Sequence, residues 1–281
     1  MKKPVYYLLL VSFTGLFLFS SWRLVSSLLS YKEGQNSYAS LEQYISFETA
    51  PQQTEVPSPT LPQEETALPE EPTLPETETV PFDPTQWPEV DFDQLSQINP
   101  DIVGWIYLEG TNINYPIVQG SDNDYYLNHL FDKRVNASGS IFLDTYCSGD
   151  FSDRHSILYG HHMKDGTMFQ NLMAYKDPAF FTEHPEALLM TPEYNYKIRF
   201  FSGYVSDTWS NAWELKFTNI AYADWIDEII GLSCFPANDV PGPQDRVITL
   251  STCSYEFNTA KFVLHGYIVQ QTEAKLTTSG N

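Results

Sequence analysis

From about residue 90 onward, the sequence is a succession of short apolar runs separated by turn-forming residues. "IVGWIYLEGTNINYPIVQ" holds two such runs around a glycine turn, and the series continues with "SGSIFLD", "HSILYGHH", "ALLMTP", "YKIRFFSGYVSD", "RVITLSTC" and "KFVLHGYIVQ". Short runs rich in Val, Ile, Phe and Tyr predict β-strands. Many strands with few helices indicate a mainly β fold, either a barrel or a sandwich with helical insertions.

Three segments of this region predict helices instead. "FDQLSQINPD" reads as a short leading helix that stops before Pro100, and "GTMFQNLMAYKDPAFFTEHP" has helical spacing up to a break at Pro178. "TNIAYADWIDEIIGLS" is the third. Its apolar face is predicted to comprise Ile220, Ala223, Ile226 and Ile230, and Thr218 or Asn219 can cap it.

The N-terminus carries an uncharged segment, Val5–Trp22, directly after Lys2 and Lys3. A helix of that length spans about 27 Å, close to the thickness of a bilayer core. The two lysines favour a cytoplasmic N-terminus. Residues 1–30 are therefore predicted to form a cytoplasmic tail and a single-pass signal anchor that leaves the folded domain outside the cell membrane. A cleaved signal peptide is the alternative, although Trp22 and Arg23 interrupt the small residues that a cleavage site needs.

Residues 31–89 have the composition of a spacer. No lysine or arginine occurs between Glu33 and Asn99, and prolines recur from Pro51 to Pro84. Such a segment buries too little apolar surface to offset the entropy of ordering it. We expect a disordered, semi-stiff linker over 31–89, a folded domain over 90–272 and a short C-terminal tail over 273–281.

Charge and cysteine content limit the range of possible functions. The net charge is −21 and no basic cluster is visible, so nucleic acid is not a predicted partner. The three cysteines are an odd number for a domain outside the cell, which leaves at least one thiol unpaired. Cys147 and Cys234 could pair, and the remaining thiol would then be Cys253.

Cys253 ends the apolar run "VITLSTC", just where the chain turns polar. A nucleophilic thiol needs a base, and histidine is the usual one. The most suggestive histidines are His161 and His162 in "LYGHHMKDGTMF", where Gly160 permits a sharp turn after a strand. Each pattern alone is weak, because free cysteines are most often buried and inert and a histidine is common at a turn. A metal site built from these three residues is conceivable, but no metal and no cofactor is predicted.

Together the two patterns resemble the sortases, membrane-anchored cysteine transpeptidases of Gram-positive bacteria. "TLSTC", "GWIYLEGTNINYPIVQGSDNDYYLNH", "SGSIFLD" and "YGHHMKDGTMFQNL" resemble class B in particular, and the resemblance covers nearly the whole folded domain. It implies an eight-stranded β-barrel with an N-terminal helix and a helical insertion before the cysteine strand.

The resemblance also implies catalytic roles. Cys253 would be the nucleophile and His161 the catalytic histidine, whereas His162 falls outside the motif and is expected at the rim. The family places an arginine on the strand after the cysteine, and "AKFVLHG" puts Lys261 there instead. Lysine keeps the positive charge but lacks the planar fork that holds two oxygens at once.

The implied reaction cleaves the sorting-signal peptide of a surface protein after Thr. A thioacyl enzyme forms and is resolved by an amine acceptor from peptidoglycan or a pilin. Matching family positions nominate six substrate-binding residues: Asn123, Leu127, Thr218, Tyr222, Ser251 and Thr252. Ordinary core packing is the competing interpretation of Leu127 and Tyr222.

Two other functions remain open at this stage. A tethered cysteine protease that uses water as the acceptor would share Cys253 and His161. A non-catalytic peptide-binding relative is favoured only by the lysine at position 261. Product analysis with and without an amine distinguishes the protease from a transpeptidase. The rate at which the Cys253 thiol is labelled tests for the non-catalytic relative.

Overall fold

The computed structural model describes residues 3–47 and 87–274, and for residues 3–6, 8 and 9 it describes the backbone alone. Ten strands occur in this part of the chain: β1 Ile45–Ser46, β2 Glu89–Val90, β3 Ile102–Tyr107, β4 Asn114–Val118, β5 Ile141–Leu143, β6 His155–Tyr159, β7 Glu186–Met190, β8 Tyr194–Ser206, β9 Val247–Cys253 and β10 Lys261–Glu273. The helices are α1 Lys3–Leu41, α2 Phe92–Ile98, α3 Pro178–Glu183 and α4 Asn219–Gly231.

Strands β3 to β10 form a closed barrel in the order β10-β8-β7-β3-β4-β5-β6-β9. This confirms the predicted eight-stranded barrel. Most neighbours are antiparallel, but β4 pairs with β5 and β6 pairs with β9 in parallel. Parallel neighbours need a long crossover. The crossover from β6 to β9 contains α3, β7, β8 and α4, and it brings "HSILY" and "VITLSTC" side by side.

The barrel is closed around a continuous apolar core. Trp105, Ile117, Phe142, Leu158 and Leu250 are buried within it, each from a different strand. A second cluster lies between α4 and the strands β8, β9 and β10. Burial of this apolar area supplies the main stabilisation of such a fold.

The helical segments differ from the sequence prediction in three details. Phe169–Lys176 is a 3-10 helix, and α3 begins, rather than ends, at Pro178 because Asp177 caps it and proline suits the first helical turn. In α4 the buried face comprises Tyr222, Trp225, Ile226 and Ile229, whereas Ile220 is 77% exposed. The predicted face of α4 was therefore wrong for Ile220, because the large aromatic side chains take the buried positions.

The predicted spacer needs correction at its N-terminal end. Residues 31–41 continue α1, and β1 pairs with β2. Tyr38 and Leu41 are buried, and the Tyr38 hydroxyl donates to Gly139 O at 2.5 Å. The segment 31–47 is thus part of the packed structure, because it places apolar side chains on the barrel. Residues 48–86 and 275–281 lie outside the described residues.

The predicted membrane span Val5–Trp22 falls within α1. Among the residues that the structure describes in full, no helix is long and apolar enough to cross a membrane. Part of the predicted span Val5–Trp22 lies outside those residues.

Candidate active site

Cys253 and Lys261 face each other at one end of the barrel. They are paired across the antiparallel β9–β10 ladder, Cys253 as the last residue of β9 and Lys261 as the first of β10. The Lys261 Nζ donates a hydrogen bond to the Cys253 Sγ at 3.0 Å. Both side chains are half-buried, so the thiol and the ammonium are close together and still accessible.

His161 lies two residues beyond the end of β6, the strand next to β9. The Gly160 N–H donates to Ser251 O at 3.1 Å, which holds the end of β6 against the cysteine strand. A Cβ at position 160 would lie 2.5 Å from Ile141 Cδ1 and 2.7 Å from the Phe169 ring. Only glycine therefore fits where the chain turns to present His161.

The Leu127 carbonyl fixes the tautomer of His161. The Nε2 atom of His161 lies 2.6 Å from Leu127 O. A carbonyl oxygen can only accept, so Nε2 must carry the proton. In the neutral imidazole this leaves the lone pair on Nδ1, the atom that can exchange a proton with a reacting group.

Cys253, His161 and Lys261 line one cavity of about 490 Å³. Four of the six predicted substrate-binding residues line the same cavity: Asn123, Leu127, Ser251 and Thr252. The strand ends, the 3-10 helix Tyr125–Leu127 and the loops beside them thus bring together residues that are far apart in the sequence. A cavity of this size that combines apolar walls with several polar groups suits a short peptide segment.

Two neighbours fix the orientation of the Asn123 amide. Asn123 Oδ1 accepts from the Thr145 N–H at 2.9 Å, and Nδ2 donates to the buried Asp144 carboxylate at 2.9 Å. The same carboxylate oxygen accepts from the Tyr159 hydroxyl at 2.9 Å. One N–H of Asn123 remains, so this side chain can offer a donor to a peptide carbonyl.

Ser251 and Thr252 form the wall beside the nucleophile. The Trp213 Nε1–H donates to Ser251 Oγ at 3.2 Å, which ties the 3-10 helix Asn211–Trp213 to β9. Within the described residues, Thr252 Oγ1 is buried and has no hydrogen-bond partner. A buried hydroxyl of this kind is a candidate for a bond that forms only when a ligand is present.

Thr218 and Tyr222 do not reach the cavity. Thr218 is exposed and its Oγ1 caps α4 by accepting from the Ala221 N–H at 3.2 Å. Tyr222 is fully buried under α4, where its hydroxyl donates to the carbonyls of Arg154 and Asp245 at 2.8 and 2.7 Å. The geometry gives both residues structural contacts, and their substrate contacts stay a prediction.

The sequence analysis missed four residues that line the cavity: Phe142, Tyr159, Thr208 and Trp213. Tyr159 stands two residues before His161, and Phe142 lies in "SGSIFLD", so two of them belong to segments already singled out. Thr208 and Trp213 follow β8 in a loop with no motif of its own, and only the fold places them at the site.

His162, expected at the rim, contacts the nucleophile's backbone. Its Nδ1 lies 2.9 Å from Cys253 O, and its ring packs against Tyr255 with centroids 4.9 Å apart. A carbonyl can only accept, so His162 Nδ1 must donate.

The other two thiols are placed differently from Cys253. All three cysteines are free, so the possible Cys147–Cys234 disulfide does not form. Burial raises the pKa of Cys147 to about 12 and also raises that of Cys234. Neither thiol lines the cavity.

Known proteins with similar sequences are sortases. No family model matches the chain. It is 36% identical over 178 residues to sortase B of Listeria monocytogenes, which covers 62% of this chain and 72% of that protein. It is 36% identical over 182 residues to sortase B of Staphylococcus aureus, covering 64% of this chain and 75% of that protein.

Solved structures agree with these relatives. The Staphylococcus aureus sortase B–substrate complex superimposes with a TM-score of 0.61 at 35% identity, over 64% of this chain and 84% of that one. A sortase B complexed with triglycine gives a TM-score of 0.60 at 35% identity, over 64% and 85% of the two chains. With the barrel, the cavity and these similarities taken together, the chain belongs to the class B sortases, a family of cysteine transpeptidases.

Proposed function

We propose that Cys253 is the nucleophile, His161 the general acid and base, and Lys261 the cationic group of this transpeptidase. The observation that carries the proposal is that all three line one cavity, with Lys261 Nζ 3.0 Å from Cys253 Sγ. The described structure offers no comparable position to Cys147 or Cys234, neither of which lines that cavity.

The first half-reaction forms a thioester. His161 Nδ1 takes the proton of the Cys253 thiol, the sulfur attacks the carbonyl carbon of the Thr in a sorting signal, and a negative charge develops on the carbonyl oxygen. The C–N bond after Thr then breaks, and His161 Nδ1 gives that proton to the departing amine. The N-terminal part of the peptide remains bound to sulfur.

The second half-reaction transfers this acyl group to an amine. The amine nitrogen attacks the thioester carbon, His161 accepts a proton from it, and the C–S bond breaks to release the Cys253 sulfur. The Leu127 carbonyl supports both steps, because it holds the proton on Nε2 and so reserves His161 Nδ1 for exchange.

Lys261 is proposed to stabilise the negative charge that arises during attack. In the described state its ammonium donates to the sulfur, and the same group lies within reach of a carbonyl bound to that sulfur. A positive donor aimed at a developing oxyanion stabilises the transition state more than the ground state. A lysine supplies this charge without the two-pronged geometry of arginine.

The substrate class follows from the cavity and from the relatives. Asn123 and the unpartnered Thr252 hydroxyl offer polar contacts to an extended peptide, and Leu127, Phe142 and Trp213 supply apolar surface. The solved complexes of sortase B with a substrate and with triglycine support a peptide donor and an amine acceptor. We propose a surface-protein sorting signal as donor and an amine of peptidoglycan or of a pilin as acceptor.

Membrane anchorage is proposed from the sequence of α1. Lys2 and Lys3 precede the uncharged run Val5–Trp22, and large apolar side chains of α1 such as Phe13 and Phe17 are 67% and 70% exposed. Exposed apolar surface of this extent is stabilised by a lipid environment. The proposal predicts that the protein sediments with membranes and that carbonate washing leaves it there, whereas recovery in the soluble fraction contradicts it.

Product analysis distinguishes the transpeptidase from the alternatives. The full chain is incubated with peptides of the NPxTx, SPxTG and LPxTG types, with and without triglycine, and the products are identified by mass spectrometry. We expect cleavage after Thr and a joined product when triglycine is present. Hydrolysis alone under both conditions would indicate a protease, and binding without cleavage would indicate a peptide-binding relative. Cys253→Ala is the control.

A further inference from the structure

The structure assigns a role to His162 that the sequence did not suggest. We infer that His162 is a positioning residue that holds the backbone of Cys253 and so sets the geometry between Cys253 and His161. The inference rests on the proposed function, because it takes Cys253 as the nucleophile. The single contact at its centre is the hydrogen bond from His162 Nδ1 to Cys253 O, at 2.9 Å.

The pairing of β6 with β9 shows which backbone hydrogen bond this side-chain hydrogen bond replaces. Strands β6 and β9 pair in parallel up to Tyr159 and Ser251, and the Gly160 N–H then donates to Ser251 O. In a parallel ladder the next bond is formed two residues further on each strand. The next acceptor is therefore Cys253 O, and the residue opposite it is His162. An imidazole N–H takes the place of the backbone donor and extends the ladder by one step.

The hydrogen bond from His162 lies at the end of β9, at the nucleophile itself. Cys253 is the last residue of β9, and the loop that follows it turns away to reach β10. The His162 ring is also packed against Tyr255 of that loop, with centroids 4.9 Å apart, and the Tyr255 hydroxyl donates to His162 O at 3.4 Å. His162 thus fixes the chain on both sides of the peptide bond that leaves Cys253.

The two adjacent histidines then have complementary tasks. His161 lines the cavity, with its tautomer set by Leu127 O, while His162 fixes the Cys253 backbone. Because the two histidines are neighbours on one turn, the bond to Cys253 O couples the position of the base to that of the thiol. A small displacement of reacting groups lowers the rate steeply, by as much as about a hundredfold for 1 Å.

A matched pair of substitutions tests whether the hydrogen-bond donor of the His162 side chain is required. In His162→Asn the side-chain N–H stands the same number of bonds from the backbone as Nδ1, and in His162→Leu a side chain of similar shape lacks any donor. We expect the Leu variant of the full chain to lose about ten- to a hundredfold in kcat with KM nearly unchanged. The Asn variant should remain within about threefold of the parent. Equal losses in the two variants, or full activity of the Leu variant, would overturn the inference.

A second readout does not depend on peptide cleavage. In the parent protein labelled with ¹⁵N-histidine, the Nδ1 of His162 should carry a proton at neutral pH, and its resonance is assigned by its loss in His162→Asn. An unprotonated Nδ1 would contradict the inference. If instead Cys253→Ala still cleaved peptide, the proposed function would fail while this tautomer stayed as described, so the two failures are distinguishable.

Discussion

Lys261 and Cys253 are partners across the β9–β10 ladder, and the ammonium of the first donates to the sulfur of the second at 3.0 Å. This relationship puts a positive charge within contact distance of the proposed nucleophile, on the strand where the resemblance led us to expect an arginine. The barrel, through the register of two adjacent strands, therefore keeps a cation beside the thiol even though the residue type has changed.

Removing this cation should slow the reaction strongly. Lys261→Ala is expected to lower kcat/KM by at least about a hundredfold, since deleting one oxyanion donor costs about 3 kcal/mol. Lys261→Arg should retain or raise activity, because it keeps the charge and adds the planar fork. Steady-state cleavage of the best peptide measures both variants.

The exposed Lys164 offers a matched control for that measurement. It stands three residues after His161 but does not line the cavity, so Lys164→Ala should leave kcat/KM nearly unchanged. A Lys261→Ala variant as fast as Lys164→Ala would show that Lys261 does not stabilise the transition state.

His161→Ala should abolish proton transfer at the site. A positioned general acid and base contributes about a hundredfold to ten-thousandfold, so kcat/KM should fall within or beyond that range. His184→Ala is the control, because His184 does not line the cavity. If the loss in His161→Ala were no larger than in the control, the assignment of the base would fail. Cleavage kinetics over pH 5–9 provide the comparison.

The strands could be predicted because each depends on local sequence, whereas the proposed catalytic residues rest on the resemblance to the sortases, since the cysteine and histidine patterns are each weak alone. Apolar runs mark the strands, and Cys253, His161 and Lys261 each stand at a strand end. Strand ends of one barrel meet at its rims, so residues predicted separately share one cavity. The donor role of His162 depends on the register between β6 and β9, which no local pattern specifies.

The wrong predictions for the buried face of α4 and for the segment 31–47 also have physical causes. In α4 two apolar stripes overlap, and the one with Tyr222 and Trp225 is buried because it removes more area from water. The segment 31–47 lacks lysine after residue 32 and resembles the acidic spacer in charge, but Tyr38, Leu41 and Ile45 follow helical spacing and are buried. That spacing, together with the first proline of the spacer at position 51, was the available signal.

Thiol labelling should distinguish Cys253 from Cys147. Burial raises the pKa of Cys147 to about 12, whereas Cys253 is only half-buried and lines the cavity. The reactive thiolate must also be accessible, so iodoacetamide at pH 7.5 should modify Cys253 before Cys147. Peptide mapping of the labelled protein over time measures the order. Modification of Cys147 ahead of Cys253 would contradict the prediction, and Cys253→Ala provides the background rate.

Stability should fall on mild acidification because of two buried histidines. His155 donates to Glu214 O, and Thr249 Oγ1 links His155 to His265, with distances of 2.6 to 2.7 Å. Burial lowers the pKa of His155 to about 4 and that of His265 well below its usual value. Below about pH 6.5 the unfolded chain binds protons that the folded chain does not, so the free energy of unfolding decreases as pH falls.

The slope of the free energy of unfolding against pH is the quantity to measure. Each histidine should contribute up to about 1.4 kcal/mol per pH unit between pH 6 and pH 5. His265→Leu should reduce the slope by about that amount whatever its absolute stability. Denaturant unfolding at several pH values measures the slopes, and equal slopes in the His265 variant and the parent would refute the assignment.

Trapping the thioacyl intermediate tests whether Cys253 is the nucleophile. The full chain is mixed with its best peptide in the absence of amine, quenched in acid and examined by intact-mass spectrometry and peptide mapping. We expect an added mass equal to the peptide up to and including Thr, located on Cys253 and released when triglycine is added before the quench. An adduct on Cys147 or Cys234, or cleavage after Thr by the Cys253→Ala variant, would contradict it.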